Sequence, residues 1–493
     1  MKSDGKFNCA SLKFTYDHTA ALKRQMGAFM SVENTHYGAE NIARILSGIS
    51  SIYFIGIGGI NMSSLAHISH IRGYRVGGSD QMQTELTDRL TEAGIEIFYS
   101  HEASHIEGYE AIVYTVAIAP DNPEYSAALA KGIPCISRAD FLGFIMTGYT
   151  NRVGVSGMHG KSTCTSMCAL SFMHAGGDPT VLSGATLAEM GGAYRIGGEQ
   201  NFVFEACEYM DSFLDFNPNI AVILNIELDH VDYFKSITQV RRSFSDYAAI
   251  TGPDGFAVVN GDDDNVRIAM AGYAGTLVTF GLGEGCDYTA YNIEYISGMA
   301  SFDIYFRGNY AAHVSLSVPG KHNIYNALAA FAAGMICGLD AEAVAEGLSH
   351  YLGAGRRMEY KGKWNDVDVY DDYAHHPTEI TVTLGGFRDM GFGRIFCIYQ
   401  PHTYSRTEAL WDDFTSALNT ADRVLLVDIY AARETDALGV SSALLAQAIG
   451  EKADYCPTFE DAIAILGAEA RPGDAIVVMG AGTVYRIFPL LGL

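Results

Sequence analysis

A chain of 493 residues is too long to be one small module, and ordinary domain sizes predict roughly two to four domains. Hydrophobic residues at 48% and charged residues at 18% are globular usage with enough apolar surface for several cores, which excludes wholesale disorder. Lys+Arg at 32 against Asp+Glu at 57 give a formal charge of −25, and with no run of basic residues this excludes broad electrostatic binding to nucleic acid or to an anionic membrane.

Nine cysteines with no CxxC pair fit neither a disulfide framework nor a zinc site and suit a reducing cytoplasm. The first 30 residues hold no apolar run of the signal-peptide kind. The uncharged stretch 324–339 is too short to cross a bilayer and carries Asn326. The expectation is a cytoplasmic protein without membrane insertion, either monomer or homodimer.

Residues 1–49 are polar and irregular, with one amphipathic helix expected near Glu40 to Leu46, and form an extension of no assignable role. From Ser51 apolar runs alternate with helical patterns: strand at Ile52 to Ile55, helix at Asn61 to His70, strand at Tyr74 to Val76, helix at Thr84 to Ala93, and onward through Ala111 to Thr115 and Glu124 to Lys131. That is the βαβ rhythm of a parallel sheet covered by helices. A second unit opens with the strand Arg152 to Val155, a glycine-rich turn and a helix from Lys161 to His174. Further strands are expected at Phe202 to Glu205 and Ala221 to Asn225. Between Cys286 and Pro319 the period changes to two, with Arg307-Gly308-Asn309 as a turn, which predicts an antiparallel sheet attached to the second unit. After Gly353 a third βα series follows, with strands at Val367 to Tyr370, Ile395 to Tyr399, Val424 to Val427 and Ala475 to Met479. The predicted partition is an extension over 1–49 and α/β domains over 50–149, 150–353 and 354–493.

In Gly154-Val155-Ser156-Gly157-Met158-His159-Gly160-Lys161-Ser162 a short apolar strand runs into a glycine turn, and Lys and a hydroxyl then open a helix. This arrangement cradles a polyphosphate: backbone N–H groups and the helix N-terminus face the anion, Lys adds charge and Ser can reach Mg²⁺. The spacing is GxxGKS, tighter than the usual GxxxxGK[ST], because Val155 stands five before Gly160. A glycine connector with a chance lysine is the bland alternative, and the agreement of strand, loop and helix favours ATP. A second loop, Gly56-Ile57-Gly58-Gly59, also joins a strand to a helix, with Asp80 closing the second strand. A dinucleotide fingerprint would place a third glycine at Asn61, so an empty tight turn and a nicotinamide site both remain open. Gly480-Ala481-Gly482 reads as a simple turn.

Strand ends in the second and third units carry charge. Glu205 closes one strand and His230 follows the next, where Mg²⁺ ligands of a phosphate site would stand. Asp371 to Glu379 includes His375-His376 without the spacing of a zinc helix, so a polar site at a domain junction is the better reading. Arg356-Arg357 and the segment Gln400 to Arg406 lie at neighbouring strand ends.

The blocks YFIGIGGINMSSLA from Tyr53, SGMHGKST from Ser156, NIELDHVDYF from Asn225, PGKHNIYNALAA from Pro319, DDYAHHPTE from Asp371, QPHTYSRT from Gln400 and DIYAARE from Asp428 together resemble the Mur ligase family, from Ile52 to the C-terminus. The resemblance implies a three-domain α/β Mur ligase architecture: a Rossmann-like first domain, a central P-loop ATPase-like domain with the added antiparallel sheet, and a Rossmann-like third domain. Residues 1–49 are more than the family needs.

The resemblance also implies that UDP-N-acetylmuramate sits on the first domain, around Gly56, Gly58, Gly59 and Asp80. ATP would lie on the central one, along Gly157 to Thr163, with Asn323 and Asn326 at the adenine and Arg357 near the nucleotide. Ser162, Glu205 and His230 would hold Mg²⁺, and Tyr373, His375 and Arg406 the incoming L-alanine. Lys161, Glu205, His230, His375 and Arg406 would carry the chemistry, in which ATP phosphorylates the lactyl carboxylate and the amine displaces phosphate. Two positions depart from the family: Thr403 stands where some members have Arg, and EACEYMDSFL from Glu205 stands where many read EADESDASFL. Within the family, a ligase attaching a recycled peptide to the same UDP-sugar is the rival reading. Outside it the rivals are an NAD-dependent oxidoreductase and a non-catalytic sensor of UDP-sugars.

Overall fold

The computed structural model describes residues 32–230, 233–432, 434–435 and 437–493, so residues 1–31 of the expected extension lie outside the described residues. The helix expected there forms at Ala39–Ile45, with Ile42 buried against the first domain.

The first domain is a parallel sheet of β1 (Ser51–Ile55), β2 (Arg75–Ser79), β3 (Glu96–Phe98), β4 (Ala111–Tyr114) and β5 (Cys135–Ser137) in the order β3-β2-β1-β4-β5. Every residue of β1 and β4 is buried, as a sheet with helices on both faces requires. The chain reverses direction across the sheet at β1, so the crevice beyond its carboxyl end receives Gly56 to Gly59.

The central sheet has ten strands among the described residues: β6 (Asn151–Ser156), β7 (Thr180–Leu187), β8 (Gly192–Arg195), β9 (Asn201–Glu205), β10 (Ile220–Ile223), β11 (Phe256–Asn260), β12 (Thr276–Gly281), β13 (Tyr288–Ile296), β14 (Met299–Phe306) and β15 (Asn309–Pro319). Their order is β15-β14-β13-β12-β11-β10-β6-β9-β7-β8. The strand β6 pairs in parallel with β10 on one side and β9 on the other, with Val155 opposite both Val222 and Glu205. That register sets Glu205 beside the start of the phosphate loop. The antiparallel strands are not a separate sheet: β13 joins β12 in parallel, and β14 and β15 extend the same layer. The expected strand to Asn225 stops at Ile223, because the Asn225 side chain leaves the ladder and exchanges hydrogen bonds with the main chain of His159 (2.8 and 2.9 Å).

The third domain orders β16 (Glu359–Trp364), β17 (Val367–Asp372), β18 (Ile395–Tyr399), β19 (Arg423–Leu426), β20 (Ala453–Tyr455) and β21 (Ala475–Met479) as β16-β17-β21-β18-β19-β20, antiparallel only at β16. The carboxyl ends of β17, β21 and β18 are adjacent, which collects the segments beginning at Tyr373, Gly480 and Gln400 on one edge.

One apolar core runs without a break from the first domain into the central one, including Phe54 and Phe141 on one side and Phe204, Phe213 and Tyr247 on the other. At Gly154 of β6 a Cβ atom would lie 2.1 Å from the Tyr247 hydroxyl and 2.6 Å from Phe204. Neither ring can yield within that core, so Gly154→Ala should destabilise by about 1 to 3 kcal/mol, the usual cost of overpacking. A urea titration should show a lower midpoint with an unchanged slope; an unaltered midpoint would mean that the β6 layer repacks freely.

Candidate active site

The helix Lys161–His174 starts directly from the loop Gly157 to Gly160, and Gly160 takes the left-handed conformation (φ 83°) at its N-cap. A Cβ there would come within 2.9 Å of the Asn326 side-chain oxygen, so a glycine lets the loop pass this close to the helix His322–Ile336. Lys161 folds back over the loop, its ammonium donating to the carbonyls of Gly157 (2.6 Å) and Met158 (3.1 Å) and to Glu208 (3.2 Å). Burial alone would lower the Lys161 pKa, but Glu208, Cys207 and Glu205 outweigh it and hold the ammonium firmly protonated.

Ser162 donates to Glu205 (2.8 Å), whose same oxygen accepts the N–H of Gly184 (2.9 Å). The carboxylate that meets His230 is instead Glu208, completely buried, with one oxygen 3.0 Å from His230 Nε2 and the other 3.0 Å from Lys161 Nζ. Burial would raise the Glu208 pKa; Lys161 and His230 reverse this and keep it ionised. Glu208 is held by a strained turn, since Met210 and Asp211 both have φ 56°. Asp211 pins that turn by accepting hydrogen bonds from Tyr233 (2.5 Å) and Ser243. Sequence reading singled out Glu205 and passed over Glu208, three residues on in the block that departs from the family. A second carboxylate at that spacing was the available signal.

On the third domain, Tyr373 and His375 follow β17 with their rings 5.5 Å apart, and Arg356 and Arg357 lie 4.9 and 5.3 Å from the Tyr373 ring. The Nδ1 of His375 faces the Tyr373 carbonyl (3.1 Å), and burial pushes its pKa down to about 4, so the ring is neutral near pH 7. Arg406 reaches across the domain junction to Asp229 (3.3 Å) and touches His402 (3.3 Å). Against its burial, Asp229 is held well below the usual carboxylate range by Arg406, His230 and His376. Thr403, at φ 65°, accepts the N–H of Arg406 as the cap of the helix Tyr404–Ala409. A cavity of about 550 Å³ is lined by residues of both domains, among them Lys161, Ser162, Glu205, Glu208, His230, Tyr373, His375 and Arg406, with Met158 at its edge.

A second cavity, about 230 Å³, adjoins it on the other side of the loop and takes in His159, Gly160, Thr163, Asn323, Asn326 and Arg357. Asn326 donates to Asn323 (3.0 Å), which donates to the Pro319 carbonyl (2.7 Å), so each amide is oriented by its neighbour. Gly157 lines neither cavity and contributes its carbonyl to Lys161. In the first domain a third, wider cavity of about 1020 Å³ has Gly56 and Asp80 in its wall and reaches Ala432 and Glu434 of the third domain. Gly58 donates its N–H to Asp80 (2.9 Å), so that pair closes the turn, and Gly59 caps the helix Ile60–Ile71. Behind this wall Glu124, fully buried, accepts hydrogen bonds from Tyr53 (2.8 Å) and Ser79 (2.6 Å) and meets His101 (2.8 Å) and His105 (3.0 Å), a cluster the sequence reading did not foresee. No helix of the described residues is long and apolar enough to cross a membrane.

Family models for the Mur ligase catalytic domain, the Mur ligase middle domain and the Mur ligase glutamate ligase domain match residues 51–150, 155–334 and 356–482. The chain belongs to the Mur ligase family. A relative from Caldanaerobacter subterraneus named UDP-N-acetylmuramate–L-alanine ligase is 45% identical over 446 residues, covering 90% of this chain and 97% of that one. One of the same name from Clostridium tetani is 42% identical over 90% and 97%. Among solved structures, the UDP-N-acetylmuramate-alanine ligase of Thermotoga maritima superposes with a TM-score of 0.74 at 27% identity, covering 90% of this chain and 98% of that one. A murein peptide ligase from Psychrobacter arcticus gives 0.66 at 25% identity over 90% and 98%. The three-domain α/β architecture expected from the sequence is the one found.

The central and third domains also meet through His159, whose two nitrogens each lie 3.3 Å from a carboxylate, Glu227 on one side and Glu379 on the other. Burial opposes the charge, but these carboxylates lift the His159 pKa from 6.5 to about 9. A raised pKa in the folded state means that the contribution is complete below about pH 6.5 and is lost as pH climbs through about 9. Thermal melts from about pH 6 to 9.5 should therefore show wild type losing stability faster than His159→Gln. Parallel curves would mean that the imidazolium does not join these domains.

Proposed function

We propose that this protein joins L-alanine to the lactyl carboxylate of UDP-N-acetylmuramate at the expense of ATP, releasing ADP and phosphate. What carries the reading is the single cavity in which the phosphate-loop ammonium of Lys161, the Glu208–His230 pair and the Tyr373, His375 and Arg406 side chains face one another across a domain junction. A carboxylate resists an amine because it is anionic and has no good leaving group. Transfer of the γ-phosphoryl group makes it an acyl phosphate; the amine then forms the C–N bond, phosphate departs with the C–O electrons, and the amine gives up its proton. The protein's share is placement and charge neutralisation.

On this reading residues 50–149 hold the UDP-sugar, 150–353 the ATP and 354–493 the amino acid, in the cytoplasm. Lys161 turns from Glu208 to the phosphates, and Asn323 and Asn326 face the adenine. Arg406 binds the alanine carboxylate, and neutral His375 accepts a hydrogen bond from its amine while Tyr373 bounds the pocket. The donors fit Mg²⁺: Ser162, Glu205 and Glu208 offer the oxygens that a hard cation takes, and His230 completes the set. When bound, Mg²⁺ neutralises phosphate charge. Assembly from three domains excludes water that would hydrolyse the acyl phosphate.

Phosphate release measured with UDP-N-acetylmuramate, ATP and Mg²⁺ over a panel of amino acids and a tripeptide tests the reaction. Alanine should lead, glycine and serine should be poor, and leucine excluded, because one methylene is worth only about 1 to 3 kcal/mol while a clash is decisive. A preference for the tripeptide would assign the chain to peptide recycling instead. Lys161→Ala should lower kcat by about 10³- to 10⁵-fold, while calorimetry finds its UDP-sugar affinity unchanged; loss of both would place the two ligands on one domain.

Arg406→Ala should raise the KM for alanine by roughly 10- to 100-fold, the worth of a charge-assisted hydrogen bond, and leave the KM for ATP nearly as it was. With Thr403 offering a hydroxyl in place of a guanidinium, no neighbouring side chain in that helix replaces the lost charge. An unchanged alanine KM would put the acceptor site elsewhere.

A further inference from the structure

Away from the proposed Mg²⁺ group, on the far side of the phosphate loop, one donor atom from each of His159, Glu227 and His376 lies within 4.8 Å of the others. His159 and Glu227 come from the central domain and His376 from the third. The His159 and His376 rings are 4.9 Å apart, and Glu227 is fixed in place by the Thr378 hydroxyl (2.9 Å) from the opposite domain. His376 is 94% buried, by its 6% exposure, and its Nε2 has no hydrogen-bond partner. A buried imidazole nitrogen without a partner is costly and asks for an occupant.

We infer that His159, Glu227 and His376 form a binding site for a first-row transition ion of the zinc class, a site that bridges the central and third domains. Two imidazoles and a carboxylate suit Zn²⁺ or Co²⁺, whereas Mg²⁺ prefers oxygen ligands in octahedral array, so the cluster discriminates against the ion that phosphate chemistry uses. The proton now shared by His159 with Glu227 and Glu379 is the ion's competitor: binding releases it to solvent and leaves a neutral imidazole on the metal. Coordination through His376 Nε2 moves that ring's proton to Nδ1 and gives up only a long contact from the Thr378 N–H (3.3 Å). Because the ligands come from both sides of the junction, an ion here clips the domains together in the wall of the second cavity, which His159 and Glu227 line. The site does not depend on which amine is the acceptor.

Co²⁺, titrated into the full chain with Mg²⁺ in excess, is the probe, read by its visible absorption and by competition with a chelator. His376→Asn keeps an oxygen to cap the helix Pro377–Asp389 and removes the nitrogen ligand; Glu227→Gln keeps the Thr378 contact. Wild type should bind one Co²⁺, and both variants should bind it at least about 10- to 100-fold more weakly, while His230→Ala binds it as wild type does. The inference is overturned if wild type binds no Co²⁺ under these conditions, if either ligand variant binds as tightly as wild type, or if His230→Ala alone loses the ion, which would then sit with the Mg²⁺ donors. Circular dichroism melts of each variant separate lost ligation from lost fold.

Discussion

Glu208 has no exposed surface, and its charge is tolerable only because Lys161 and His230 approach it from two other segments of the chain. An ionised carboxylate buried without such partners would cost several kcal/mol, so the phosphate loop, the turn after β9 and the segment after β10 must assemble together. The strain at Met210 and Asp211 belongs to the same arrangement, for it brings the Glu208 side chain inward and Asp211 holds it there. His230 stands at φ 49°, in the left-handed region, and delivers its imidazole to that carboxylate.

The same logic operates between domains. Arg406 of the third domain is paired with Asp229, the residue immediately before His230, and Asp229 also accepts the His230 N–H (2.6 Å). One carboxylate thus fixes both the imidazole that meets Glu208 and the guanidinium that reaches in from the third domain. A shift in one domain is therefore felt at both side chains.

Much of the fold was legible because its strands are buried on both faces. Runs such as Ile395 to Tyr399 and Ala475 to Met479 have only one comfortable environment, and the structure returns them with the same bounds. The helix Lys161–His174 was equally plain, opened by Gly160 and Lys161 and stopped at Gly176. Short strands such as Cys135–Ser137 and Ala453–Tyr455 carry no period long enough to read, and the half-exposed β16 holds Lys361 and Lys363, which look like a loop until β17 is there to pair with it. At the candidate site, motif spacing exposed the loop residues and the strand-end carboxylate Glu205. It could not show what Glu208, Asp229, Glu227 and Glu124 pair with, because their partners lie 19 to 177 residues away in the chain, His230 and Arg406 among them. Pairings of that range are set by topology, and a single sequence does not display topology.

The net charge of −25 looks unsuited to substrates that are themselves anions. Among the described residues each lysine and arginine lining the two cavities is already paired: Lys161 with Glu208, Arg406 with Asp229 and Arg357 with Glu379 at 3.8 Å. The lining carries more carboxylates than cations, with Glu205 and Glu434 standing beside these pairs, and that surplus is what lets buried cations exist there. In the proposed reaction an incoming phosphate or carboxylate need not be drawn by a broad positive field. It exchanges for a carboxylate of the protein, and the carboxylate so released is where a divalent cation gains its ligand. Anion and metal then bind each other's vacated partners, so neither binds well without the other, and the acidic surface outside contributes little because solvent and salt screen it over about 10 Å.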